Sequence, residues 1–145
     1  MPEVTRSRVV MAPRDRVWEL VSDPYNLPRW WPATVRVEDV EDDAWTSVLK
    51  TPRGATVRAD YTRSAAERGE RVVWRQELAE SPFERVFASA VTSVSLADAS
   101  DGGTRVSLTV AEELRGRYRF GGWVIRRAAR RRLDEALGSL AEAVE

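Results

Sequence analysis

Through most of the chain hydrophobic and polar positions alternate with a period of two, and near its end they switch to a spacing of three to four. Val4 to Met11 read as a first strand. Ala12-Pro13 then opens a helix, because proline fits a first turn where its missing N–H is not needed. Val17, Trp18, Leu20 and Val21 make the apolar stripe of that helix, and Asp23-Pro24 stops it. A second short helical piece runs from Tyr25 to Trp31, bounded by Pro24 and Pro32. Turn chemistry at Asp42-Asp43, Pro52-Arg53-Gly54, Arg68-Gly69, Ser81-Pro82 and Asp101-Gly102-Gly103 then separates strands at about 34–41, 45–51, 55–66, 71–80, 84–98 and 104–114. Short turns between consecutive strands predict an antiparallel meander.

Gly121-Gly122 breaks the pattern, and from Trp123 the apolar residues Ile125, Ala129, Leu133, Leu137, Leu140 and Val144 define a long amphipathic helix. The expected architecture is one α+β domain over 1–145, in the order strand, two short helices, six strands, long helix. A sheet with one polar face buries the other only where helices cover it. A strongly twisted seven-stranded sheet that curls around one terminal helix leaves space between the two, and that space is the candidate site.

Strand parity predicts its lining, since alternate side chains face the same way. The inward set is Val57, Ala59, Tyr61 and Arg63 on one strand and Val72, Trp74, Gln76 and Leu78 on the next. It continues with Val86, Ala88, Ala90, Thr92, Val94 and Leu96, then Val106, Leu108, Val110, Glu112 and Leu114. A bulge inverts any of these assignments. Trp30 and Trp31 are adjacent and cannot both face one way, so one of them closes the mouth, while Ile125 and Ala129 are the helix's contribution to ligand contact. Trp18 and Trp74 read as core.

Composition removes whole chemistries. The 145 residues contain no cysteine and no histidine, which excludes thiol nucleophiles, thiolate or imidazole metal sites and imidazole triads. No EF-hand spacing, Walker loop or GxGxxG loop is present, so neither metal nor cofactor is called for. The 23 basic and 23 acidic side chains balance, which argues against general nucleic-acid binding. Met1 to Arg8 lacks an apolar signal segment and no run reaches the ~20 apolar residues of a bilayer span, so the chain reads as cytoplasmic.

Charge is nevertheless uneven. Arg115, Arg117, Arg119, Arg126, Arg127, Arg130, Arg131 and Arg132 crowd the start of the last helix, where its dipole disfavours cations, and Asp134, Glu135, Glu142 and Glu145 sit toward the disfavoured acidic end. Placement against the dipole points to a basic collar at Arg126, Arg127, Arg130 and Arg131 that could dock an acidic acyl carrier protein. A solvated face neutralised by neighbouring carboxylates is the plainer reading.

Ala12-Pro13 before Val17-Trp18, followed by Ser22-Asp23-Pro24, Leu27 and Trp30-Trp31-Pro32, resembles the START-like helix-grip superfamily of the birch pollen allergen, SRPBCC in domain nomenclature. The resemblance covers essentially the whole chain. Leu49-Lys50-Thr51 with its following turn, the strand ending at Arg63 and the Ser81-Pro82-Phe83 turn are similar to bacterial aromatase/cyclases, within the polyketide cyclase/dehydrase and lipid-transport group. The sequence departs from aromatase/cyclases at Val57 and Ala59, where two tryptophans flank their pocket.

That resemblance implies a helix-grip fold, a curved antiparallel sheet around a long C-terminal helix, and a deep cavity for a polyketide or similar lipophile. It also implies that Arg63 holds and polarises a substrate carbonyl while Tyr61 and Glu112 move protons in a cofactor-independent aldol closure or dehydration. Two alternatives stand beside it: a non-catalytic carrier of lipid, quinone or acyl chains, and a protein-interaction module. For Arg63 and Glu112 the alternative is a half-solvated ion pair worth about 0–1 kcal/mol and without chemistry.

Overall fold

Proline, glycine and strand alternation place the elements where the sequence pattern puts them, with shifts of a few residues. The computed structural model describes residues 3–145 apart from the side chain of Arg117. Met1 and Pro2, which open the N-terminal stretch considered above, lie outside the described residues. The order is β1 (Glu3–Val10), α1 (Arg14–Ser22), a 3-10 turn (Pro24–Asn26), α2 (Leu27–Trp30), β2 (Thr34–Glu38), β3 (Ala44–Lys50), β4 (Thr56–Glu67), β5 (Arg71–Glu77), β6 (Phe87–Asp98), β7 (Thr104–Leu114) and α3 (Gly122–Val144). Short 3-10 turns lead into β7 at Ser100–Gly102 and into α3 at Gly116–Gly121.

The strands form one antiparallel sheet in the order β1-β7-β6-β5-β4-β3-β2. Sequence neighbours pair as a meander from β2 to β7, and β1 adds on the far side of β7, with Val4 opposite Val110 and Val10 opposite Thr104. Three expected strands are shorter than the pattern suggested: the first after α2 ends at Glu38, β5 ends at Glu77 and β6 begins at Phe87. Residues after Glu77 turn away, with Glu80 in the left-handed region (φ 62), and Ser81 to Val86 form tight turns closed by Glu84 N–H to Ser81 O and Val86 N–H to Phe83 O. A register shift between Phe87 and Ser89 then reverses the expected parity at the start of β6. Phe87 takes the inward position expected of Val86 and Ala88, and Ala88 is exposed.

α3 buries Ala129, Leu133, Ala136, Leu137, Leu140, Ala141 and Val144, which join Val4, Val10, Val106, Leu108 and Val110 of β1 and β7 and Val17, Leu20 and Val21 of α1 in one core. Polar fasteners fix its pose on the sheet edge. Arg6 donates two 2.9 Å hydrogen bonds to the Asp134 carboxylate, and the Met11 N–H donates to Glu145. The fully buried Thr104 hydroxyl donates to Ala12 O at 2.7 Å, tying the β1–α1 corner to β7. Among the described residues no helix is long and apolar enough to cross a membrane.

Leu133 is fully buried at the centre of this contact. Leu133→Ala is expected to lower the unfolding free energy by about 2–5 kcal/mol, read as a shifted urea midpoint with an unchanged slope.

Candidate functional site

The inward-facing side chains of β4 to β7 form cross-strand rows. Trp45, Tyr61 and Gln76 are partners across β3, β4 and β5, and Arg63, Trp74, Thr92 and Val110 across β4, β5, β6 and β7. Ala90 lies opposite Glu112. Where α3 leaves this face uncovered there is a cavity of about 380 Å³. Its walls are Val57, Tyr61, Trp74, Gln76, Ala90, Thr92, Val110 and Glu112, all expected from strand parity, with Arg132 of α3 across from them. Trp31, Pro32 and Ala33, the turn from Leu49 to Pro52, and Phe83 and Phe87 form the rim and outer wall.

Aromatic rings occupy the inner end. Trp30, Trp31 and Trp74 meet edge to face at centroid distances of 5.4 Å, 6.3 Å and 5.6 Å, and Trp45 stacks on Tyr61 at 5.7 Å. Edge-to-face packing matches the positive ring edge to the negative ring face. The expected division of the adjacent tryptophans holds: Trp30 is 1% exposed and Trp31 is half-buried on the cavity wall. Trp74 belongs to both core and cavity.

Several expected ligand contacts are core instead. Trp30, Ala59, Leu108 and Ala129 are buried and do not reach the cavity wall, because neighbouring side chains fill the space in front of them. Ile125 is half-buried and also lies off the wall. Arg126, Arg127, Arg130 and Arg131 are exposed and off the wall as well.

The largest correction concerns Arg63. Its side chain does not line the 380 Å³ cavity. The guanidinium donates to the Asp43 carboxylate at 3.1 Å, to Ser22 O at 3.1 Å and to Asp42 O at 2.6 Å, binding the β2–β3 turn to the end of α1. A register shift between Arg63 and Ala65 sits at this point, and two carbonyls and a carboxylate engage three of the five N–H donors of the guanidinium. The expected Arg63–Glu112 pairing does not form.

Arg132 holds the place expected of Arg63. Its Nη2 lies 3.3 Å from Glu112 Oε1, and Glu112 is 8% exposed. The sequence signal for it is the stripe Ile125, Ala129, Arg132 and Ala136, which shares one helix face with the core positions. Two donors on the wall are buried without a partner among the described residues, Arg132 Nε and Gln76 Nε2. Buried donors of this kind carry a desolvation cost of about 1–3 kcal/mol each, which a ligand oxygen relieves. Burial also pushes the Tyr61 phenol up to about 12; the nearby Arg132 charge opposes the shift and the Glu112 charge adds to it. The phenol is thus a weaker acid than an ordinary tyrosine and keeps its proton at neutral pH.

The site is a mainly apolar chamber whose polar lining is Tyr61, Gln76, Glu112 and Arg132 together with Lys50, Thr51 and Thr92. The chain matches the "Polyketide cyclase / dehydrase and lipid transport" family over residues 1–145. It belongs to that family. Among solved structures, a START superfamily protein from Mycobacterium smegmatis is 13% identical, with a TM-score of 0.81, covering 98% of this chain and 96% of that one. The Zhui aromatase/cyclase from Streptomyces sp. R1128 is 16% identical, with a TM-score of 0.80, covering 98% of this chain and 92% of that one. The di-domain aromatase/cyclase BexL from the BE-7585A biosynthetic pathway is 26% identical, with a TM-score of 0.81, covering 98% of this chain and 46% of that one. No curated protein matches significantly. Family membership and the START/helix-grip fold together make this a hydrophobic-ligand-binding protein of the SRPBCC type.

Two outcomes follow. Arg63→Ala is expected to cost about 1–3 kcal/mol of stability through the lost hydrogen bonds. It should leave the binding of 1,4-naphthoquinone, followed by tryptophan quenching, within about twofold, whereas Arg132→Ala should weaken that binding roughly tenfold or more. For Tyr61, the phenol is protonated in both folded and unfolded chains below pH 10, its ordinary value, and between there and about 12 only the unfolded chain ionises. Stability is thus full below pH 10 and falls as pH rises toward 12, by on the order of 1–3 kcal/mol. Urea melts at pH 9 and 11.5 should show that fall in the wild type and a smaller one in Tyr61→Phe.

Proposed function

We propose that this protein closes or dehydrates a carbonyl-bearing polyketide-like chain in the 380 Å³ cavity, with Arg132 in the role that the family resemblance lent to Arg63. The observation that carries this reading is the convergence of a carboxylate, a guanidinium and a protonated phenol on the wall of one mainly apolar cavity. Arg132 Nε and Gln76 Nε2, both lacking a partner, suit ligand carbonyl oxygens.

In this reading the Glu112 carboxylate takes a proton from a methylene flanked by two carbonyls, and the charge falls on enolate oxygens beside Arg132 and Gln76. The enolate carbon bonds to a second carbonyl carbon of the same chain. That carbonyl's oxygen takes the Tyr61 proton and becomes a hydroxyl, and the proton held by Glu112 restores the phenol. Dehydration repeats the exchange: a neighbouring C–H proton passes to Glu112 and the hydroxyl leaves as water with a proton from Tyr61. Nothing is oxidised or reduced. Carriage of a lipophile without chemistry is the second reading, favoured by the mainly apolar walls of Val57, Trp74, Ala90, Val110, Phe83 and Phe87.

Incubation with a short poly-β-keto thioester and product analysis separates the readings. Cyclisation by the wild type should fall about 100-fold or more in Glu112→Gln and in Arg132→Gln. It should fall less in Tyr61→Phe, where water can supply the proton, and should persist in Arg63→Ala at a temperature where that variant is folded. Binding of the thioester without turnover would establish the carrier reading and sink the catalytic one.

A further inference from the structure

The connection from β7 into α3 carries an exposed surface unlike the rest of the protein. Phe120 is 86% exposed, Trp123 61% and Val124 48%. Phe120 is the most exposed of the large apolar side chains, and the three residues form one corner where the Gly116–Gly121 turn meets the helix. No acidic residue occurs from Arg115 to Arg132. Arg119, Arg126, Arg127, Arg130 and Arg131 around the corner are exposed and have no ion-pair partner among the described residues.

Elsewhere seven arginines are matched with carboxylates, while Arg8, Arg16, Arg29, Arg53, Arg68, Arg85 and Arg105 have no ion pair among the described residues but are dispersed along the chain rather than clustered. Arg6 pairs with Asp134, Arg14 with Asp98, Arg36 and Arg58 with Glu38, Arg63 with Asp43, Arg71 with Glu67 and Arg75 with Glu77. A chain of zero net charge thus clusters unpaired positive charge around the exposed Phe120 and Trp123, in a stretch without carboxylates and at a helix N-terminus whose dipole adds to the same sign. Cations there are unfavourable within the isolated protein and become favourable against an anionic surface.

We infer that this corner docks onto the anionic face of a lipid bilayer, with Phe120, Trp123 and Val124 entering the headgroup boundary and Arg119, Arg126, Arg127, Arg130 and Arg131 contacting lipid phosphates. Three features favour a bilayer over an acidic protein. The aromatic side chains project from a corner, so a protein partner would have to supply a pocket shaped to each, whereas a headgroup layer accepts any such projection. Tryptophan and arginine together are suited to the depth where the polar and acyl regions meet. The helix arginines form two adjacent rows on one side, Arg126 with Arg130 and Arg127 with Arg131, a broad band that suits a planar field of phosphates. Arg132, the next residue along, lines the ligand cavity, so docking brings that cavity close to the membrane. The docking itself does not depend on the catalytic reading.

The test is co-sedimentation of the full chain with vesicles of phosphatidylcholine alone and with about one third phosphatidylserine, at low and high salt. Anionic vesicles should bind at least about tenfold more tightly than neutral ones, with the advantage shrinking as salt screens the charges. Arg127→Glu/Arg131→Glu should lower that affinity about tenfold or more. Phe120→Ser/Trp123→Ser should lower it at both salt concentrations, since these exposed residues contribute by burial in the headgroup layer. Circular dichroism should match the wild type for both variants. Equal sedimentation with neutral and anionic vesicles would overturn the inference, as would binding indifferent to Phe120→Ser/Trp123→Ser. Salt-dependent binding to an acidic acyl carrier protein with none to the vesicles would overturn it in favour of a protein partner.

Discussion

The structure depends on α3 meeting the sheet along one flank only. Leu133, Leu137, Leu140 and Val144 lock into β1 and β7, while Arg6 holds Asp134 from the sheet's first strand. With the helix fixed on that flank, the curved strands β3 to β6 arch past it. Trp30, Trp31, Trp45 and Trp74 fill the inner end of the arch with large stiff rings, and these keep the two layers apart where the cavity begins. The hollow is thus a consequence of packing, set by side chains that are themselves well packed.

Electrostatics then decides what the hollow can do. A cavity this apolar tolerates a carboxylate only with a partner, and Glu112 finds one in Arg132. The same burial that makes the pair necessary raises the pKa of the Tyr61 phenol and leaves donors on Gln76 and Arg132 without acceptors among the described residues. One side of the cavity consequently brings together a carboxylate, a phenol and a guanidinium. Arg63, by contrast, is spent on holding the β2–β3 turn against α1, and contributes to the shape of the arch.

α3 changes character along its length. Its C-terminal two thirds are core and cavity, and its first turns stand clear of the sheet with arginines and aromatic side chains outward. Both ends were visible as patterns in the sequence, but the pattern did not say that Arg132, one position beyond the exposed run, turns inward. Helical geometry explains it: Arg132 follows Ala129 by three residues and precedes Ala136 by four, so it shares their face.

Periodicity and punctuation alone determined the order of elements, the antiparallel meander, the long terminal helix and most of the wall: Val57, Tyr61, Trp74, Gln76, Thr92, Val110 and Glu112 follow from a period of two. These are local properties, since the direction of a side chain within a regular strand depends on its immediate neighbours. Tertiary structure decided the rest. The register shift before Ser89 put Phe87 where Ala88 was expected, and that shift depends on pairing with β7. The choice between Arg63 and Arg132 depended on which acceptors came within reach, and Asp43, Ser22 O and Glu112 are brought near them only by the closed fold. Charges act through space, and a linear sequence carries no distances between residues far apart along it.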